Sequence, residues 1–203
     1  MQAYMKSAMP YLGITSTPLS LLCREHLAAH PLPTFAAWRD TTLALWRDAA
    51  FREERYAAIA ITRHRVYRDH QTLKAIPLYR ELIVTGAWWD YVDNVSYQVG
   101  VVLANHPTAM GRTLRRWANG KDMWLRRSAI IAQLDFGTDL DRQLLYDCIE
   151  PSIERREFFL RKAIGWALRQ YARVEPREVL RYVKANRDRL SGLSQREALK
   201  HLA

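Results

Sequence analysis

The sequence predicts an all-α protein. Strand signals are almost absent, amphipathic segments of about 10 to 18 residues recur between short breaks, and one of these segments repeats later in the chain. With 203 residues the chain is long enough to bury a sizeable core, and we expect one domain over residues 1–203. The breaks are prolines and glycines, at Pro31, Pro33, Pro77, Pro107, Gly120, Gly137, Pro151 and Pro176.

These breaks divide the chain into a series of predicted helices. The first helix, at 18–29, ends before Pro31, and Pro77 begins the fourth helix. Later helices lie between Pro107 and Gly120 and after Pro176. In chain order the predicted helices are 18–29, 34–48, 51–68, 77–85, 88–104, 108–118, 121–135, 139–149, 154–172, 176–188 and 194–202.

A weak internal repeat refines the fold class. The segment WLRRSAIIAQL at 124–134 aligns with FFLRKAIGWAL at 158–168, which pairs Arg127 with Arg161. A further copy, REERYAAIAI, lies at 52–61. Recurrence every 34 to 40 residues, roughly, is typical of HEAT-like helical pairs stacked into a solenoid. The sequence therefore predicts a HEAT-like helical-repeat solenoid in which successive inner helices line a concave basic groove.

The charge is unevenly distributed and indicates a polyanionic partner. The formal net charge is +10 and the isoelectric point is about 9.9. Residues 112–203 contain 20 basic and 12 acidic residues, whereas residues 1–111 contain 11 and 9. Most of the basic residues are arginines, whose planar forks suit phosphate oxygens. Nucleic acid is the expected partner; the alternative is a basic protein whose charges are simply solvated.

Other classes of protein are disfavoured. The longest uncharged stretch, 94–111, contains Gln98, Asn105 and Pro107, so it does not read as a membrane span. There is no basic start followed by an apolar signal segment, and we expect a cytoplasmic protein. Cys23 and Cys148 lie far apart, and the six histidines share no ligand spacing, so no metal site is expected.

One stretch, TGAWWDYVDNV at 85–95, combines two tryptophans with two acids. Within a helix Trp89 and Asp93 are four residues apart and share a face, whereas Trp88 shares its face with Val92 and is expected to pack inward. Asp90 is better explained as an acid that complements the helix dipole. The stretch is thus predicted to be core on one face and binding-site wall on the other.

A second tryptophan lies among cations. In RKAIGWALR, Trp166 shares a face with Lys162 and Arg169. In DMWLRRSAI, Arg126 and Arg127 are adjacent, so at most one of them can point squarely into a groove.

Other tryptophans and acids of the sequence have simpler explanations. Four other tryptophans are predicted to be core residues: Trp38, Trp46, Trp117 and Trp124. Glu53 and Glu54, together with Arg55, are predicted to form a charge cluster on the surface.

These motifs together resemble a known family. GAWWDYVD, WLRRSAI, FFLRKAIGWALRQYA, the opening YMK and the closing LSQREALKHL are similar, in order and spacing, to the AlkD family of HEAT-like DNA alkylation-repair glycosylases. The resemblance covers nearly the whole chain. It implies an enzyme, active as a monomer without a cofactor, that removes cationic bases such as 3-methyladenine and 7-methylguanine from double-stranded DNA.

The resemblance also assigns residues. It places the catalytic carboxylate on Asp93, the lesion-flanking indoles on Trp89 and Trp166, and the active-site arginine on Arg127. It also places DNA contacts on Tyr4, Arg127 and Arg169. Lys6 and Lys162 are further expected DNA contacts, and a solvated helix face is an equal explanation for Lys162. Members of the family usually carry a helix upstream of YMK, so we expect either a shorter N-terminal cap or a start inside a longer reading frame.

One carboxylate is sufficient for the implied chemistry. Glycoside hydrolysis usually needs a second carboxyl group as the acid for the leaving group. A base alkylated at N3 or N7 is already cationic and departs neutral. Asp93 would then stabilise oxocarbenium-like charge and orient water.

Two other functions fit the same motifs less completely. A non-catalytic HEAT-like module that binds branched or unusual DNA would be free to lose Asp93, Trp89 or Trp166, and all three are present. A helical-repeat scaffold for protein partners would not require Arg127 and Arg169 to share a groove with the tryptophans.

Overall fold

The computed structural model describes residues 2–202, and within that range the protein is helical throughout its regular structure, without a β-strand. The all-α class predicted from the sequence is confirmed. The α-helices are α1 (Gln2–Met5), α2 (Ser16–Ala29), α3 (Phe35–Arg47), α4 (Arg52–Arg63), α5 (Ile76–Gly86), α6 (Trp89–Asn105), α7 (Pro107–Asn119), α8 (Met123–Ile131), α9 (Arg142–Ile149), α10 (Phe158–Tyr171), α11 (Pro176–Ala185) and α12 (Gly192–Leu199). Four short 3₁₀ helices lie at Arg65–His70, Leu73–Ala75, Gly137–Asp139 and Glu150–Ser152.

Polar N-caps determine where several helices begin. The Asp122 side chain accepts hydrogen bonds from two backbone N–H groups of α8, and Asp141 and Ser191 each accept one at α9 and α12. A cap satisfies N–H groups that have no partner within the helix. This is why α9 begins at Arg142 rather than at the predicted position 139.

Several predicted helices are shorter than expected; those at 121–135 and 176–188, for example, end at Ile131 and Ala185. The helix predicted at 51–68 ends at Arg63, because His64 has extended backbone angles and its ring nitrogen caps the 3₁₀ helix that follows. The helix predicted at 154–172 begins only at Phe158, after a 3₁₀ turn at Glu150–Ser152 that contains Pro151. Helix α1 was not predicted.

The chain divides into two compact units, Met1–Leu82 and Ile83–Ala203, and the division falls within α5. In the first unit α4 packs against both α2 and α3. Trp38 and Trp46 are buried there, as predicted for core residues, and the Arg55 guanidinium lies 4.7 Å from the centroid of the Trp46 ring.

The acids at the start of α4 correct one expectation. Glu53 is not part of a surface cluster: it is almost fully buried. Its carboxylate accepts hydrogen bonds from the backbone N–H groups of Leu12, Gly13 and Ile14, at 3.0, 2.9 and 3.2 Å. A buried carboxylate needs such donors, and here it ties the segment before α2 to α4.

The second unit is built from two rows of helices. In one row α6 packs against α8, α8 against α10, and α10 against α12. In the other row α7 packs against α9, and Tyr146 of α9 stacks on Tyr182 of α11 with ring centroids 4.1 Å apart. Trp117 and Trp124 are buried in this unit, as predicted.

Candidate active site

Helix α6 carries Trp89 and Asp93 one turn apart, so they lie on one face. Both side chains are half-buried, whereas Val92 is fully buried. Val92 is therefore buried as expected, and Trp89 and Asp93 share the less buried face of α6. Trp88 differs from the prediction, because it precedes the helix as an extended N-cap residue and is itself half-buried.

Asp93 is held by a two-pronged ion pair with Arg127 of α8. Arg127 Nε donates to Asp93 Oδ1 and Arg127 Nη2 donates to Asp93 Oδ2, each at 2.7 Å. The third nitrogen, Nη1, donates to the Phe159 carbonyl at 2.7 Å. The Arg127 side chain is 5% exposed and the Asp93 side chain 17% exposed. The arginine is therefore buried and holds the carboxylate of Asp93, whose side chain retains some access to solvent.

Burial and pairing act on Asp93 in opposite directions. Burial raises the pKa of the Asp93 carboxyl above its ordinary value, and the hydrogen bonds and charge of Arg127 oppose that rise. The negative charge of Asp90 raises the Asp93 pKa slightly further. Both Asp93 oxygens accept hydrogen bonds from Arg127 N–H groups, and this is the geometry of an ionised carboxylate. The ion pair with Arg127 thus keeps the Asp93 carboxylate negatively charged in a largely desolvated position.

Aromatic side chains pack beside this ion pair. The Arg127 guanidinium lies 5.9 Å from the centroid of the Phe159 ring. Phe159 also contacts Trp88 and Trp124, with centroid distances of 5.4 and 5.0 Å. An apolar surround of this kind strengthens the attraction between the paired charges.

The register between α6 and α8 is determined by close packing. Ser96 donates a hydrogen bond of 2.8 Å to Ser128. A Cβ atom added at Gly100 would lie 2.4 Å from the Ala132 carbonyl oxygen, so only glycine permits this approach. These contacts hold the helices that carry Asp93 and Arg127 at a defined separation.

Helix α10 carries Trp166, which is half-buried, between Lys162 and Arg169. Both cations are paired with Glu197 of α12. The Lys162 Nζ lies 2.8 Å from one carboxylate oxygen and the Arg169 Nη1 lies 2.5 Å from the other. The predicted DNA contacts of this helix are therefore engaged with an acid within the protein.

Two predicted contacts lie in the first unit. Tyr4 is in α1 and is 74% exposed. Lys6 follows that helix, is also exposed, and has a positive φ of 49°. Both side chains are open to solvent.

The adjacent arginines of α8 have different surroundings. Arg126 donates to the carbonyls of Gly120 and Pro151 and to the Ser152 hydroxyl. It cross-links the start of α8 to the segment before α10. Arg127 alone reaches Asp93, in agreement with the prediction that the two cannot point the same way.

Other kinds of site find little support in the described part of the chain. Residues 2–202 contain no group of three His, Cys, Asp or Glu side chains that could hold a metal ion. Cys23 and Cys148 are both free thiols. None of the helices in this range has the length and apolar character needed to cross a membrane.

The protein is thus all-helical, and its candidate site combines the Asp93 carboxylate, which Arg127 holds, with the half-buried Trp89 on the same helix as Asp93. The sequence matches the family described as DNA alkylation repair enzyme over residues 1–202, and the chain belongs to that family. It is similar to the structure of a predicted DNA alkylation repair enzyme from Enterococcus faecalis, with 29% identity and a TM-score of 0.90. That similarity covers 100% of this chain and 93% of the other. No curated protein matches the sequence significantly.

Sequence reasoning missed Glu197 and the Phe159 carbonyl. Glu197 lies within the closing segment LSQREALKHL, 35 residues after Lys162, which is close to the repeat period of 34 residues. An acid one period from a cation could have been predicted as its partner on the neighbouring helix of the row. The Phe159 carbonyl has no sequence signal, because every residue carries one.

Proposed function

We propose that this protein is a monofunctional DNA N-glycosylase that excises cationic alkylated purines, including 3-methyladenine and 7-methylguanine, from double-stranded DNA in base excision repair. The observation that carries the proposal is the Asp93 carboxylate held by Arg127 on the face that also carries Trp89. Membership of a DNA alkylation repair family supports DNA as the partner. The chain acts as a cytoplasmic monomer and needs no cofactor.

The reaction breaks the bond between C1′ of the sugar and the alkylated base. The electron pair of that bond goes to the base, whose positive charge is cancelled, so the base leaves neutral without an acid. Positive charge develops on the sugar, where the Asp93 carboxylate stabilises it. Water then bonds to C1′ and releases a proton, which leaves an abasic site and a free purine.

Arg127 acts in this scheme as a positioning residue. Its three nitrogens donate to Asp93 and Phe159, and its side chain is buried. These contacts favour a role in orienting the carboxylate over the phosphate contact expected from the sequence. A group aligned in advance stabilises a transition state without reorganising during the reaction.

The remaining predicted residues are assigned to contacts with the DNA. Trp89 and Trp166 place aromatic faces against the sugar, and the negative face of an indole attracts a developing cation. Lys162 and Arg169 contact phosphates, as do Tyr4 and Lys6 from the first unit. Phosphate contacts set the position of the protein on the duplex, not the choice of base.

The test is release of free methylated purine from methylated duplex DNA. Wild type should release 3-methyladenine or 7-methylguanine, and Asp93→Asn should lower the rate by about a hundredfold or more, since a single stabilising group is typically worth about 2.7 to 4 kcal/mol. Asp147→Asn is the matched control, because Asp147 also pairs with an arginine, Arg115, at 2.7 Å but on the other row of helices. If wild type binds duplex DNA and releases no base, the protein is a non-catalytic DNA-binding module instead.

A further inference from the structure

Glu197 of α12 pairs with both cations that flank Trp166, Lys162 and Arg169. Its Oε1 accepts a hydrogen bond of 2.8 Å from Lys162 and its Oε2 accepts one of 2.5 Å from Arg169. Lys162 precedes Trp166 by one helical turn and Arg169 follows it by about one turn. One carboxylate thus neutralises part of the charge on both sides of the tryptophan.

Backbone packing places Glu197 there. A Cβ atom added at Gly165 would lie 2.5 Å from Glu197 Cβ and 2.9 Å from the Ser194 carbonyl oxygen. The Ser194 hydroxyl also donates to the Arg161 carbonyl at 2.9 Å. Helices α10 and α12 are therefore in direct contact beside Trp166, and Glu197 reaches the cations from a short distance.

The carboxylate is charged and only partly open to solvent. The hydrogen bond from Lys162 and the charges of both cations lower the pKa of Glu197 below its usual range. Its side chain is 18% exposed, against 40% for Lys162 and 20% for Arg169. Two cations and one acid leave a single net positive charge where the sequence alone suggests two.

We propose that Glu197 competes with the DNA backbone for Lys162 and Arg169 and so sets how tightly undamaged duplex is held. This rests on the proposed function, which makes these cations DNA contacts. Affinity for undamaged duplex comes mainly from cations that pair with phosphates. A phosphate that approaches Trp166 has to replace the Glu197 carboxylate as their partner, and that exchange weakens the grip on ordinary DNA.

The experiment measures binding of undamaged duplex DNA at fixed low salt by the whole chain. Glu197→Gln should tighten binding about threefold to tenfold, the effect of freeing a pair of partly buried cations for phosphate. Glu178→Gln is the matched control, since it removes an equal charge from a carboxylate that pairs with Arg181 and Arg142. A similar increase in that control would overturn the proposal, because net charge alone would explain it.

A second variant keeps the total charge unchanged. Glu197→Asp retains the acid but is too short to reach both cations, so it should also tighten binding. In a Lys162→Met/Arg169→Met background Glu197→Gln should have no effect on affinity. Weaker binding by Glu197→Gln or Glu197→Asp, or an effect that persists in the double-Met background, overturns the proposal.

These measurements do not depend on base release. If wild type releases no methylated purine and the binding results are as expected, the glycosylase proposal fails and the role of Glu197 stands. If base is released and Glu197→Gln leaves affinity unchanged, the glycosylase proposal stands and the role of Glu197 fails.

Discussion

Arg127 and Asp93 join α8 to α6 through two parallel hydrogen bonds of 2.7 Å, across a separation of 34 residues in the chain. That separation equals the offset of the internal sequence repeat. The repeat thus brings equivalent turns of successive helices together, and in one place it pairs a buried arginine with the proposed catalytic acid.

Arg127→Lys should move the acid limb of the pH–rate profile for base release to higher pH. The fork of Arg127 lowers the Asp93 pKa and burial raises it, so losing the fork leaves burial less opposed. The Asp93 pKa then rises, and the charged form needed for activity is lost at a higher pH on acidification. Single-turnover release measured across the acid range would show the displaced limb; an unchanged limb would mean that Arg127 does not control the charge of Asp93.

Replacing either Trp89 or Trp166 should slow base release while leaving the protein folded. Trp89 and Trp166 are half-buried, so leucine at either position removes the aromatic face at limited packing cost. A desolvated cation–π contact is worth roughly 1 to 2 kcal/mol, so we expect about a 5- to 30-fold slower single turnover. Phe158→Leu, which replaces an exposed aromatic at the start of α10, serves as the control. Equal rates for all three variants would contradict the proposed role of the tryptophans.

Gly100→Ala should destabilise the second unit. The added methyl group would lie 2.4 Å from the Ala132 carbonyl oxygen, which cannot move without shifting α8. Overpacking of this kind typically costs about 1 to 3 kcal/mol of unfolding free energy.

Gly111→Ala provides the comparison for Gly100→Ala. It is also within a helix, but its methyl group would meet the flexible end of Arg115 at 3.3 Å. There the better helix propensity of alanine should leave stability unchanged or raise it by up to about 1 kcal/mol. Urea unfolding of both variants measures the difference, and equal stabilities would show that α6 and α8 do not pack as closely as described.

Glu53→Gln should loosen the segment before α2. The buried Glu53 carboxylate accepts three backbone hydrogen bonds, and an amide has one oxygen to accept them and a donor with no partner. Hydrogen bonds to charged groups contribute about 1.5 to 3 kcal/mol each, so a loss of roughly 2 kcal/mol is expected. Limited proteolysis should then cut faster between Lys6 and Thr15.

The neighbouring acid gives the control for Glu53→Gln. Glu54 accepts from the N–H groups of Ala50 and Phe51 at a more exposed position, so Glu54→Gln should cost less. Equal cleavage rates in the two variants would contradict the anchoring role of Glu53.

The spacing of residues along the predicted helices and the breaks between these helices predicted most of the fold. Prolines and glycines marked the breaks, and four-residue spacing placed Trp89 and Asp93 together on α6. These are local properties of the chain, which is why they can be predicted from one sequence.

The pairing of charges could not be predicted in the same way. Lys162 and Arg169 look free in the sequence, yet both contact Glu197 on another helix. Glu53 looked like a surface acid because its backbone donors lie about 40 residues earlier, and backbone N–H groups have no sequence signature. Tertiary packing determines these contacts.

The central claim is tested most directly on a duplex that contains a single 7-methylguanine, with binding and base release measured in the same single-turnover reaction. Wild type and Asp93→Asn should bind this duplex with similar affinity, and wild type should release the base about a hundredfold faster or more. Binding by wild type without release of 7-methylguanine, or equal release by the two proteins, would contradict it.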